Sequence, residues 1–250
     1  AVARNIRDQY GAVVQLCFAA LDTVTRDRYP KENRELSGIA FQSTTRLTQF
    51  YFAARRFDTL AVLVDRLMKK ATLTRSELAI SYYNYGRALQ LGGQWDSALV
   101  TFKEAIERFS PPVDDSGNVL FLVFNLPLRI HKAYTGGNDA AGQTEWLARA
   151  ESYYKKWSTS TSRPTELSMT ALGNLARLYE DAGQWDQSAG ALSQMRDSTG
   201  AIAAIPRLHI ADIYAKELNR PDDAIAIYKE LELLLVGADT VSRPALVEKQ

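Results

Sequence analysis

An all-α chain of stacked helical hairpins is the fold class this sequence predicts, and three observations carry the prediction. Apolar residues recur at helical spacing in paired segments. Tyr82, Tyr85, Gly86 and Leu89 fall at i, i+3, i+4 and i+7, and Ala98, Phe102 and Ala105 repeat the pattern beyond the turn Gly92-Gly93-Gln94. Small residues at Gly86 and Ala98 let the two helix backbones approach, while Tyr82, Trp95 and Phe102 fill the space around them. Finally, Gly93-Gln94-Trp95-Asp96 returns as Gly183-Gln184-Trp185-Asp186, an offset of 90 residues at which Asn84 and Arg87 also return as Asn174 and Arg177.

Taken in order, residues 3–29 read as one long helix. Val13, Val14, Leu16, Cys17, Ala20, Leu21 and Val24 form its apolar face, and Tyr29-Pro30 ends it, because a residue before proline disfavours helical dihedrals. Residues 33–71 form the first pair, with Thr44, Leu47, Thr48 and Tyr51 on one helix and Leu60, Val64 and Leu67 on the next, about the turn Arg55-Arg56-Phe57-Asp58. The pair at 75–110 opens on Thr74 and Glu77, spaced as a capping box. A proline and glycine loop follows at 111–118; its Asp114-Asp115-Ser116-Gly117 lacks the alternating ligands of a calcium loop and reads as a solvated turn.

Residues 118–158 make a divergent pair, with helices expected at 119–135 and 144–157. Pro127 should kink the first of these or shift its start, and Thr135-Gly136-Gly137-Asn138 opens a longer inter-helix loop than the other pairs have. Trp146, Leu147, Ala150, Tyr153 and Tyr154 face inward from the second. In the pair at 165–198 the core positions are Leu172, Leu175, Ala176 and Tyr179, then Ser188, Leu192 and Met195. The pair at 202–236 sets Ala211 and Tyr214 against Ala224, Tyr228 and Leu231, with Pro221 suited to a first helical turn. Ser242-Arg243-Pro244 echoes Ser162-Arg163-Pro164, so residues 240–250 are expected to open a further, capping helix.

The succession of aromatic, glycine and apolar residues on the first helix, then Ala98, Phe102, Ala105 and a closing proline, closely resembles a tetratricopeptide repeat. Leu89 stands where the family usually has Tyr, and Pro111 comes one residue late. The resemblance covers residues 33–236 in five pairs, strongly at 75–110, 165–198 and 202–236 and loosely in the other two. Because the 90-residue offset exceeds two periods of about 34, one stretched repeat lies between the matching pairs. The resemblance implies a single right-handed α-α solenoid over residues 1–250, of eleven or twelve helices, in which each pair covers apolar surface its neighbour leaves open.

In this family the first helices line a concave groove. Carried over residue by residue, that face would present Arg46 and Gln49, Asn84 and Arg87, Arg129 and Lys132, Asn174 and Arg177, then His209 and Asp212. Repeated Asn and Arg suit an extended peptide backbone or a carboxylate. The implied function is a non-enzymatic interaction or scaffold module that holds a protein or peptide partner, acidic in character, in that groove. Two other functions remain open: a structural subunit of a larger assembly, membrane-associated or not, that meets its neighbours through edges and convex faces, and an accessory repeat domain of a larger regulator or enzyme.

Composition narrows the chemistry. A net charge of +1 gives no whole-molecule field toward nucleic acid, and the longest apolar stretch, Ala12 to Leu21, is too short for a bilayer core of about 20 helical residues. No phosphate loop, zinc motif or nucleophile elbow is present, so no cofactor, metal or catalytic residue is expected. The two histidines are His131, beside Lys132, and His209, three residues before Asp212, where a polar pair on a helix face outweighs base catalysis. The single cysteine, Cys17, excludes an internal disulfide and reads as a buried small side chain. Scarce cysteine and a first residue other than Met lean toward a bacterial periplasm or another extracytoplasmic site, with the cytoplasm still open; the chain reads as processed or partial. The oligomeric state is open.

Overall fold

A computed structural model describes residues 2–109, 117–158, 165–196 and 202–236. They form eleven helices: α1 (Val2–Leu21), α2 (Pro30–Ala53), α3 (Phe57–Lys70), α4 (Arg75–Leu91), α5 (Trp95–Phe109), α6 (Gly117–Gly136), α7 (Ala140–Ser158), α8 (Thr165–Asp181), α9 (Trp185–Ser193), α10 (Ala204–Lys216) and α11 (Pro221–Val236). Among the described residues there is no strand, only an isolated bridge between Arg196 and Ile202. The fold is the all-α array of tetratricopeptide-like hairpins expected from the sequence. The expected helix at 240–250, the loop at 111–116 and the Ser162-Arg163-Pro164 start lie outside the described residues.

One backbone turn closes all five hairpins. A single residue in each adopts a left-handed conformation: Arg55 (φ 54°), Gly93 (78°), Asn138 (57°), Gly183 (70°) and Asn219 (51°). The next amide reaches back to the last turn of the preceding helix. Arg56 N donates to Tyr51 O (2.9 Å), Gln94 N to Leu89 O (2.9 Å), Asp139 N to Tyr134 O (3.1 Å), Gln184 N to Tyr179 O (2.8 Å) and Arg220 N to Tyr214 O (2.8 Å). Such bonds satisfy carbonyls that a helix end leaves without a partner.

Close backbone approach sets the hairpin packing. A Cβ at Gly86 would fall 2.4 Å from the Phe102 ring, so only glycine admits that ring between α4 and α5. Phe102 and Ala98 are fully buried, and burying a phenylalanine contributes about 1.5–3 kcal/mol. The same device recurs between repeats, because a Cβ at Gly136 would meet the Trp95 ring at 2.5 Å. Trp95 therefore packs against the end of α6. The capping box at the start of α4 forms as expected, with Glu77 N donating to Thr74 Oγ1 (3.3 Å) and Thr74 N to Glu77 Oε2 (2.8 Å).

Contacts divide the chain into two compact units, residues 1–146 and 147–250. In the first, Val14, Cys17, Phe18 and Leu21 of α1 pack with Ala40, Leu47 and Leu67, and a second cluster joins Leu60, Phe102, Phe109 and Ile130. Cys17 is buried, and that burial raises its thiol pKa above the ordinary value. In the second unit Leu172, Leu175 and Leu178 of α8 are buried with Leu192, Ile210, Ala211, Ala224 and Leu231.

Three local expectations change. The first helix stops at Leu21, not near Tyr29: Thr23 N and Val24 N both turn back to Ala20 O, and Asn33 Nδ2 holds Val24 O at 2.6 Å. Val13 and Leu16, expected on its buried face, are 36% and 71% exposed. The turn of the middle pair is no longer than the others. Gly136 ends α6, only residues 137–139 intervene, and α7 starts at Ala140 because Asp139 Oδ1 accepts from Gly142 N at 2.9 Å. Pro127 lies inside α6, and the helix runs through it.

Candidate functional site

In the first unit the first helices of consecutive hairpins, α2, α4 and α6, meet side by side, and their side chains build one cluster. Phe52 comes from α2, Tyr83 and Arg87 from α4, and Arg129 from α6. The Arg87 guanidinium stacks 4.6 Å from the Phe52 centroid and 5.8 Å from that of Tyr83. Arg129 approaches the same tyrosine ring, also at 5.8 Å, and its Nη2 donates to Tyr83 Oη at 3.3 Å. Gln90, on the next turn of α4, donates to the Arg129 carbonyl (3.2 Å) and ties α4 to α6.

Two like charges thus share one ring. Burial lowers the Arg87 pKa below its ordinary value, and the neighbouring Arg129 lowers it further against a smaller opposing effect of Tyr83. Cation–aromatic contacts of this kind contribute about 0.5–2 kcal/mol each and offset part of the desolvation. Among the described residues neither guanidinium is paired with a carboxylate, and the Nε of each is shut off from solvent with no hydrogen-bond partner. The arrangement is an unbalanced, half-buried double cation with planar donors, suited to an anionic group.

The other expected groove residues distribute as follows. Arg46 and Gln49 are exposed on α2, while Asn84 and Lys132 are half-buried on α4 and α6. In the second unit Asn174 is 4% exposed, leaving little surface for a ligand, whereas Arg177 is exposed. His209 takes its carboxylate partner from another helix: Nε2 lies 2.9 Å from Glu180 Oε1 on α8, not beside Asp212. Asp212 instead accepts from Lys216 (3.3 Å) and Tyr228 (3.2 Å). His131 is fully buried on α6. Beside Arg177 and His209 opens an apolar cleft of about 530 Å³, floored by Met169, Ala176, Leu192 and Met195.

Phe52 and Tyr83 were not anticipated as parts of the site. A usable signal was present, since Tyr83 directly precedes Asn84 and turns one residue away from the apolar stripe. Among the described residues no group of three or more His, Cys, Asp or Glu side chains could hold a metal, and no helix is long and apolar enough to cross a membrane.

Hairpins of this geometry with a side-by-side first-helix face define a helical-repeat protein. Residues 81–110 and 171–195 match models described as tetratricopeptide repeat. Such repeats point to an interaction or scaffold role and to protein partners. A similar solved structure is the crystal structure of BtubC (BKLC) from P. vanneervenii, with a TM-score of 0.54 over 94% of this chain and 95% of that one; at 12% identity the likeness is one of fold. No curated protein sequence matches the chain.

Proposed function

We propose that the protein is a non-enzymatic interaction module whose first unit holds an acidic, extended segment of a partner protein along the first-helix face of α2, α4 and α6. The observation that carries this reading is the Arg87–Arg129 pair, charged, half-buried and without a carboxylate among the described residues. Exposed Arg46 and Gln49 extend the polar face on α2 and support a ligand that runs across successive repeats. Exposed charges act only over the Debye length, about 8 Å at 0.15 M salt, so each cation matters where the segment lies directly on it.

The test is differential capture. A partner held by the parent and identified by mass spectrometry should be lost from Arg87→Glu/Arg129→Glu and weakened by added salt, with the helical circular dichroism of the variant unchanged. Capture of the same partner by the folded double variant would contradict the reading.

A second reading, a subunit that contacts neighbours through its edge, rests on α1, where Leu16 is 71%, Ile6 38% and Val13 36% exposed. It expects self-association or a stoichiometric complex in sedimentation, reduced by Leu16→Lys and indifferent to the Arg87/Arg129 substitutions. A monomer at all concentrations, with no companion protein, would remove it.

A further inference from the structure

We infer that the Arg87–Tyr83–Arg129 cluster is a site for a phosphate monoester, carried as a phosphorylated side chain on the partner segment; the inference rests on the reading that this face holds such a segment. Three features of the cluster point to a dianion and not to a lone carboxylate.

The first is charge. Two guanidinium groups flank one ring at 5.8 Å each. The groups that face Arg87 are Phe52 from α2, Tyr83 from its own helix and Arg129 from α6, and no carboxylate is among them. A carboxylate would leave this pair with a net positive charge. A phosphate monoester carries about −1.5 to −2 at neutral pH and balances it nearly in full.

The second is donor supply. Among the described residues the only acceptor taken by either guanidinium is Tyr83 Oη, 3.3 Å from Arg129 Nη2, and both Nε atoms are buried without a partner. The Nη donors of the two forks face outward from a half-buried cluster, where a charge-assisted bond to an acceptor-rich group is worth more than on an exposed surface. Three phosphoryl oxygens offer two guanidinium forks more strong acceptor sites than the two oxygens of a carboxylate do.

The third is orientation. The Phe52 and Tyr83 rings lie 4.6 and 5.8 Å from the Arg87 guanidinium, and the Tyr83 hydroxyl accepts a bond from Arg129. The forks are therefore positioned before a ligand arrives, which lowers the ordering cost of binding. Among the described residues no ring is stacked on Arg177, at the matching position of α8, where Gly173 stands in the place of Tyr83.

The experiment follows the Nε–Hε NMR resonances of Arg87 and Arg129 in the full chain, assigned with Arg87→Lys and Arg129→Lys. The probes, at matched ionic strength, are a capped Gly-phosphoserine-Gly peptide, its glutamate analogue, inorganic phosphate and acetate. The phosphopeptide should shift both resonances at concentrations at least about tenfold below those needed for the glutamate peptide or acetate. Its affinity should fall as the pH drops through the second phosphate pKa of about 6, where the acetate response stays flat. Arg87→Gln and Arg129→Gln should each abolish the preference while keeping the helical spectrum. Equal response to phosphopeptide and glutamate peptide overturns the dianion inference and leaves the acidic-segment reading standing. Tighter binding of inorganic phosphate than of the phosphopeptide overturns the side-chain source. Resonances unmoved by any probe, or an equal shift of Arg177, overturn the site itself.

Discussion

Helices α4 and α8 carry the same Asn-x-x-Arg motif at the same repeat position, yet they build different surfaces. In α4 the motif follows Tyr83, and Arg87 is held half-buried between that ring and Phe52, beside a second cation. In α8 it follows Gly173, Asn174 is buried, Arg177 is exposed, and an apolar cleft of about 530 Å³ opens where the ring would stand. Acid–base pairing also differs, since α8 supplies Glu180 to His209 and Ser188, whereas no described carboxylate reaches Arg87 or Arg129. Repeat position alone therefore does not define a ligand contact. The residue one place before the motif supplies one of the two rings beside Arg87, and glycine at that place in α8 supplies none.

The largest expected effect separates the glycines of the two helices. Gly86→Leu must displace the Phe102 ring and should destabilise the first unit by roughly 1–3 kcal/mol in urea unfolding. Gly173→Ala should do the opposite: its Cβ would meet nothing closer than Met195 Cε at 3.8 Å, and a helical Gly→Ala change gains about 0.5–1 kcal/mol. Equal effects at the two sites would show that the helices do not differ in packing as described.

A pH effect should mark the start of α4. Burial pushes the Glu77 carboxyl up, but bonds from Arg34 (2.8 Å) and from the Thr74 amide and hydroxyl outweigh it, so the net pKa lies below the ordinary 4.5. A depressed carboxyl stabilises the fold fully above its unfolded value and loses that stabilisation as the pH falls through the folded one. The parent should lose melting temperature below about pH 4.5, and Glu77→Gln should lack that increment. Identical acid profiles for the two proteins would mean that the Arg34–Glu77 pair contributes nothing. Glu151, in α7, should show the same sign, its carboxyl lowered chiefly by Lys155 and also by Tyr179, against burial.

The smallest effect lies in the turns. Arg55 holds a left-handed backbone that Gly93 and Gly183 adopt without strain. Arg55→Gly should raise stability by about 0.5 kcal/mol, the left-handed cost of a side chain exceeding the entropy that glycine adds. A lower melting temperature for this variant would show that Arg55 makes compensating contacts.

These sites also show what the sequence could and could not convey. Apolar spacing located all five hairpins, and the Thr74–Glu77 box and Pro221 marked helix starts, because each of those signals is local. The left-handed turn residue is glycine in only two hairpins, so the common turn was hidden behind Arg55, Asn138 and Asn219. Gly136-Gly137 read as a loop, although Gly136 is helical and small because Trp95 lies on it. The Arg87 and Arg129 positions followed from repeat register. Their braces and the Glu180–His209 pair depend on which side chains meet between helices, and residues 29 apart in the chain leave no periodic trace of that.

The most direct test of the contrast between α4 and α8 is the arginine Nε–Hε spectrum of the free protein at neutral pH. Arg87 and Arg129, with Nε shut off from solvent, should give separate, slowly exchanging resonances that an added acidic peptide shifts together. Exposed Arg177 should exchange fast and stay unmoved. Equal exchange at all three arginines, or a peptide-induced shift at Arg177 alone, would contradict the account.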